Sequence, residues 1–190
     1  MWSEKDMEEY LEKNLKAKRY QHSLGVRDSA VLLAKKYNVD EKKARLAGLI
    51  HDCAKNLKDE EILKLVKGQD IEISEAKLKA PQILHGLAGA LIAKNTFKIL
   101  DEEILNAITY HTTGRENMTA LDKIIYLADF IEPGRDFPGV EGLRTLAFKD
   151  LEKALVLAFD TTINFVIEKG ELLDLDTIIA RNDIILKNNF

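Results

Sequence analysis

The chain contains four histidines, His22, His51, His85 and His111, and all four fit one pattern that could hold a metal. His51 is followed at once by Asp52, and an apolar stretch further on, YLADFIEP, carries Asp129. Imidazole is a poor filler for an apolar core and a common ligand for divalent ions. A carboxylate set into an apolar stretch is costly without a cation beside it, so Asp129 is expected to face a metal or another positive group. A mixed His/Asp set without cysteine disfavours structural zinc and suits iron, manganese or another first-row divalent ion. Asp52, with two carboxylate oxygens, could bridge two such ions about 3.5–4 Å apart, a centre that generates hydroxide and clamps a phosphoryl oxygen.

The elements that must position these groups read as helices. Val26, Ala30, Leu33, Ala34 and Tyr37 recur at three- and four-residue steps, a stripe from about Leu24 to Tyr37 that puts His22 just before or within a first turn. Leu46, Leu49, Ile50 and Cys53 mark a second helix entered from Asp40 as N-cap, which leaves His51-Asp52 at its C-terminal end. A third is expected over 82–97 with His85 early in it, and a fourth over 101–110 with His111 directly after it. Leu121, Ile124, Ile125 and Ala128 define another, carrying Asp129 late and stopped by Glu132-Pro133-Gly134. A long helix through Leu151, Leu155, Phe159 and Val166 ends near Gly170, and a last one follows Asp176. The charged residues 1–17 read as an accessory helix, and Ile71-Glu72-Ile73 is too short an alternation to count as a strand. The expected fold is all-α, a single-domain helical bundle over residues 1–190, with EPGRDFPGVEG (Glu132 to Gly142) as its one loop rich in proline and glycine. Side chains at helix ends can converge on one crevice in such a bundle.

Composition limits the partners. With 190 residues, 46% apolar and 32% charged, the chain is long enough for a proper core. A net charge of −4 argues against bulk attraction to nucleic acid or to an anionic membrane. A polyphosphate substrate would therefore need local cations. Arg19 stands three residues before His22, Lys55 three after Asp52, and Arg135 offers a planar fork suited to phosphate oxygens. Thr112, Thr113 and Gly114 can add hydroxyls and a closely approached amide. Cys53 is the only cysteine, so no internal disulfide forms and a reducing cytoplasm is the expected compartment, with Cys53 a small buried thiol. No secretory signal is visible, and the longest uncharged run, Ala80 to Ala93, is too short to span a bilayer. The pattern leaves a homodimer open.

The spacing His22 … His51-Asp52 … Asp129 resembles the HD-domain superfamily of metal-dependent phosphohydrolases. Four longer motifs, RYQHSLGV (Arg19 to Val26), GLIHDCAK (Gly48 to Lys55), HTTG (His111 to Gly114) and ADFIEPGRDFPGVEGLR (Ala128 to Arg144), are similar to the YqeK branch, which cuts dinucleoside tetraphosphates symmetrically. The likeness runs from about residue 10 to the C-terminus. It implies an HD-type bundle with His22, His51, Asp52 and Asp129 as primary metal ligands, iron being the usual metal. It places His85 and His111 on the same cavity, holding a second metal or phosphate, and Arg19, Lys55, Thr112 and Arg135 along the nucleotide phosphates. It assigns Gly170, Glu171 and Leu175, after the long helix, to the nucleoside. The implied reaction is cleavage of diadenosine tetraphosphate to two ADP. Other nucleotides or a guanosine alarmone as substrate, a non-catalytic nucleotide-binding regulator, and a di-iron oxygenase are the alternatives.

Overall fold

The computed structural model describes residues 1–69 and 73–188. Eleven α-helices span those residues, without a strand: α1 (Glu4–Asn14), α2 (Ala17–Tyr37), α3 (Glu41–Ile50), α4 (Asp59–Val66), α5 (Glu75–Lys79), α6 (His85–Asn95), α7 (Glu102–Thr109), α8 (Ala120–Ile131), α9 (Val140–Ala147), α10 (Leu151–Lys169) and α11 (Leu175–Asn188). A 3-10 turn, Pro81–Leu84, leads into α6. The all-α expectation holds. The Ile71-Glu72 part of the short alternation lies outside the described residues.

Local chemistry sets the helix ends. Ser3 and Asp6 form a reciprocal capping box on α1, and Thr119 and Asp122 form one on α8. Asp40 caps α3 by accepting the amides of Lys42 and Lys43, at 2.8 and 3.1 Å, and so ties the start of the helix that ends at His51. Proline at 133 stops α8 at Ile131, and Gly170 closes α10.

One boundary differs from the sequence expectation in a way that bears on the site. Helix α2 begins at Ala17, well before the apolar stripe, so Arg19 and His22 lie within the helix, one turn apart. Its opening residues, AKRYQH, are polar because they face the site and solvent rather than the core, and periodicity is silent there. The loop expected to reach Gly142 ends earlier, since α9 starts at Val140 and buries Val140, Leu143 and Ala147. The short helices α4 and α5 were not legible as stripes.

The core wraps one bundle. Helix α2 packs along α3 and α8, α7 fits against α3, α6 and α8, and α10 joins α8, α9 and α11. Val26, Ala30 and Leu33 of α2 meet Leu49 and Ile50 of α3 and Leu121, Ile124 and Ile125 of α8, all fully buried. Full burial of each of the larger aliphatic side chains is worth about 1.5–3 kcal/mol, so the relative positions of α2, α3 and α8 are strongly held. Helix α1 docks through Met7 and Leu11, also fully buried. No helix of the described residues is long and apolar enough to cross a membrane.

Candidate metal centre

The four histidines meet in one place. Ring centroids of His22 and His51 are 5.3 Å apart, those of His51 and His111 4.9 Å, and those of His85 and His111 4.8 Å. Three of the four stand just past a helix end, where the last carbonyls lack intrahelical partners. Each donates to a carbonyl of the preceding turn: His51 Nδ1 to Gly48 at 2.8 Å, His85 Nδ1 to Gln82 at 2.5 Å, and His111 Nδ1 to Ile108 at 2.7 Å. Every one of these partners is three residues back. A carbonyl only accepts, so the hydrogen sits on Nδ1 and Nε2 keeps its lone pair. The fourth, His22, makes the same arrangement by other means: its Nδ1 donates to the Glu132 carboxylate at 3.0 Å.

All four Nε2 atoms therefore aim acceptors inward, toward carboxylates. His22 Nε2 stands 2.9 Å from Asp129 Oδ1 and 3.8 Å from Asp52 Oδ2, and His51 Nε2 stands 3.5 Å from Asp52 Oδ2 and 4.0 Å from Asp129 Oδ1. The other Asp52 oxygen, Oδ1, lies 3.1 Å from His85 Nε2 and 3.4 Å from His111 Nε2. His85 and His111 Nε2 are 3.0 Å apart. Around an ion at about 2.1 Å, neighbouring donor atoms sit roughly 3.0–3.4 Å apart; the spacings of 3.0, 3.1 and 3.4 Å fall in that range, and those of 2.9 and 3.5 Å lie just outside it.

A buried metal fits this donor set. His22 Nε2 and His51 Nε2 are buried atoms without a hydrogen-bond partner. The 2.9 Å approach of His22 Nε2 to Asp129 is lone pair against lone pair, which a cation between them relieves. Two overlapping groups have the reach to hold an ion: His22, His51 and Asp129, and His51, Asp52 and His111.

The electrostatics agree. Burial alone would raise the Asp52 carboxyl, but its polar neighbours His51, His111 and His85 outweigh that and hold it well below its ordinary value. At Asp129 burial is likewise outweighed, by His22, Arg135 and His51. Burial pushes His85 down to about 4, aided by His111 and Lys55 against the opposing negative charge of Asp52, so it is neutral at physiological pH and free to act as a ligand or acceptor. Burial raises the Cys53 thiol, which is buried and inert.

Cations surround the ligand set. Arg19 Nη1 donates to Asp52 Oδ2 at 2.7 Å, Lys55 Nζ lies 3.4 Å from His85 Nε2, and Arg135 grips Asp129 through both its main-chain oxygen, at 2.7 Å, and its carboxylate. Thr112 Oγ1 is 3.2 Å from His111 Nε2 and 3.3 Å from His85 Nε2. Burial lowers the Lys55 ammonium, with the attraction of Asp52 opposing.

A cavity of about 580 Å³ adjoins this centre, lined by its residues His111, Thr112, Asp129 and Arg135 together with Phe130, Phe137 and Phe165. Thr161, Thr162, Asn164, Phe165 and Glu168 of α10 line it, at the spacing of one helical face. Gly170, Glu171 and Leu175 are not brought to it: they lie exposed past the end of α10, beyond the face turned to the cavity. The remaining sequence-derived site residues, Arg19, Lys55, Thr112, Arg135, the histidines, Asp52 and Asp129, gather at the centre. Sequence reasoning missed Glu132, read only as a helix stop, and the aromatic walls Phe130, Phe137 and Phe165. A carboxylate next to proline at the end of the apolar stretch that carries Asp129 was the available signal for Glu132.

The HD-domain family model matches residues 19–134. A symmetrical bis(5'-nucleosyl)-tetraphosphatase of Halalkalibacterium halodurans is 41% identical over 169 residues, covering 89% of this chain and 90% of that protein. Another of the same description, from Bacillus subtilis, is 38% identical over 164 residues, covering 86% and 88%. The crystal structure of an HD superfamily hydrolase from Clostridium acetobutylicum, described as involved in NAD metabolism, is 53% identical and superposes with a TM-score of 0.96, covering 99% of this chain and 100% of that one.

Proposed function

The chain belongs to the HD-domain family, in the branch of the symmetrical bis(5'-nucleosyl)-tetraphosphatases, and from that premise we propose that it is a metal-dependent hydrolase cutting diadenosine tetraphosphate at its central anhydride to give two ADP. The observation that carries this reading is the continuity of the cavity. Its lining combines His111, Asp129, Arg135 and Thr112 of the histidine–aspartate centre with three phenylalanines. A ligand matching both kinds of lining has phosphates joined to a flat aromatic group, which describes a nucleotide.

His22, His51, Asp52 and Asp129 would hold the primary ion, iron first among the first-row metals suited to such donors. Asp52 turns one oxygen toward His22 and His51 and the other toward His85 and His111, which supports a second ion or a phosphate oxygen at the latter pair. When bound, a divalent ion there polarises a phosphoryl oxygen and makes water acidic enough to attack near neutral pH. The residues supply the rest. Arg19, Lys55 and Arg135 ring the centre with positive charge where a polyphosphate chain would pass, and the tetraphosphate's charge is neutralised locally despite the acidic whole. Neutral His85, with its lone pair inward, can accept a proton from water or a hydrogen bond from a phosphate hydroxyl. Phe130, Phe137 and Phe165 exclude water from the nucleoside end. The reading places the protein in the cytoplasm, in keeping with its single cysteine.

The direct test is product analysis with ferrous iron or manganese added. ADP as sole product from diadenosine tetraphosphate supports the reading; AMP with ATP, or binding without turnover, refutes it. Phe165, on the rim and 55% exposed, supplies a second test. Phe165→Ala is expected to raise KM roughly tenfold with little change in kcat, since one stacked base is worth about 1–3 kcal/mol. An unaltered KM in steady-state assays would remove Phe165 from the nucleoside site.

A further inference from the structure

We infer that Glu132 is a positioning residue for the metal centre, fixing which nitrogen of His22 bears the hydrogen and holding the other toward Asp129 and Asp52. The inference rests on the reading of His22 as a metal ligand.

His51, His85 and His111 each stand past the end of a helix and donate to a carbonyl three residues back. His22 cannot. It lies in the second turn of α2, where the carbonyls around it are committed to the helix ladder. An acceptor for its Nδ1 must come from another element, and the chain supplies one from 110 residues away. The Glu132 side chain is 5% exposed, with Oε1 on His22 Nδ1 at 3.0 Å and Oε2 taking the Gly134 amide at 2.6 Å. Both oxygens are engaged, which holds the carboxylate against His22.

The surroundings are shaped to receive it. Gly25 sits on α2 one turn after His22, and a Cβ there would come within 2.5 Å of Glu132 Oε2. Arg144 of α9 grips the loop from behind, donating to the carbonyls of Ile131 at 2.9 Å, Glu132 at 2.9 Å and Arg135 at 2.8 Å. The same short loop thus delivers Glu132 to His22 and Arg135 to Asp129. Partners of this kind orient a ligand imidazole and raise its basicity, and their loss costs about 10- to 100-fold in metal affinity.

Two variants separate positioning from simple stability. Glu132→Gln keeps the shape but has one acceptor oxygen for two donors, His22 Nδ1–H and the Gly134 amide. Gly25→Ala leaves Glu132 in the chain and displaces only its flexible carboxylate end, while alanine raises helix propensity in α2. Both are expected to bind manganese about 10- to 100-fold more weakly by calorimetric titration, with Gly25→Ala holding or exceeding the wild-type Tm. Nitrogen-15 spectra of the histidine rings should show His22 passing from a single Nδ1–H form to a mixture in both. Wild-type manganese affinity and an unchanged His22 ring signal in both variants would overturn the inference. Wild-type protein that binds no manganese at His22 would overturn it too. Manganese binding with no dinucleotide cleavage would instead sink the proposed activity and leave the role of Glu132 standing.

Discussion

Asp52→Asn is expected to cut hydrolysis by roughly four orders of magnitude, the scale seen when one member of a catalytic unit is lost, while leaving the fold intact. The two oxygens of Asp52 face different halves of the centre, Oδ2 toward Arg19, His22 and His51, Oδ1 toward His85 and His111. Asparagine has nearly the same shape. Its carbonyl oxygen can still accept from Arg19, and its amide can donate to the lone pairs of His85 and His111. Those substitute hydrogen bonds explain why Tm should hold, since the substitution strips no further buried group of its partner. The negative charge and the second ligand oxygen are gone, however, and with them the bridge between the two ligand groups. Metal content by mass spectrometry, steady-state rates and thermal melts on one preparation test this. Activity within tenfold of wild type at full metal content would show that Asp52 is not the bridge.

The sequence disclosed the centre better than its setting, for physical reasons. Histidines after helix ends are visible because apolar stripes announce where α3 and α7 stop, and His51 and His111 follow at once. His22 is different: the polar opening of α2 hides the helix that carries it, so its need for a remote acceptor could not be seen, and Glu132 was passed over. Helix α10 was placed correctly from Leu151 to Gly170, but its cavity face was not. Thr161, Asn164 and Phe165 look like ordinary surface until α8 and the loop carrying Phe137 are packed against them. The glycine that ends the helix marks Gly170, Glu171 and Leu175 in the sequence, yet they lie exposed beyond that face. Which face of a long amphipathic helix borders a cavity is a tertiary fact, and local pattern does not encode it.

Gly114→Ala is expected to destabilise the protein by roughly 2–5 kcal/mol, combining about 1–2 for a left-handed backbone with about 1–3 for overpacking. Gly114 closes the HTTG turn at φ 67°, its amide donating to the Tyr110 carbonyl at 2.8 Å. A Cβ there would come 2.7 Å from Phe159 Cζ and 2.8 Å from the Ala180 Cβ, both fully buried in α10 and α11. Neither can retreat. The turn would have to move instead, and it carries His111 and Thr112. Arg115, the next residue, anchors it to Asp122 of α8 at 2.7 Å, so displacement is resisted on both sides and appears as lost stability and lost activity together. For a chain of this size such a cost lowers Tm by roughly 10 °C. Gly139→Ala is the control: Gly139 is also left-handed, at φ 91°, but nothing lies within 4 Å of its would-be Cβ, so it bears the backbone cost alone. The difference between the two melts isolates the packing of the HTTG turn against α10 and α11. If Gly114→Ala melts within about 2 °C of Gly139→Ala, a margin of at most roughly 1 kcal/mol, that packing does not hold His111 in place.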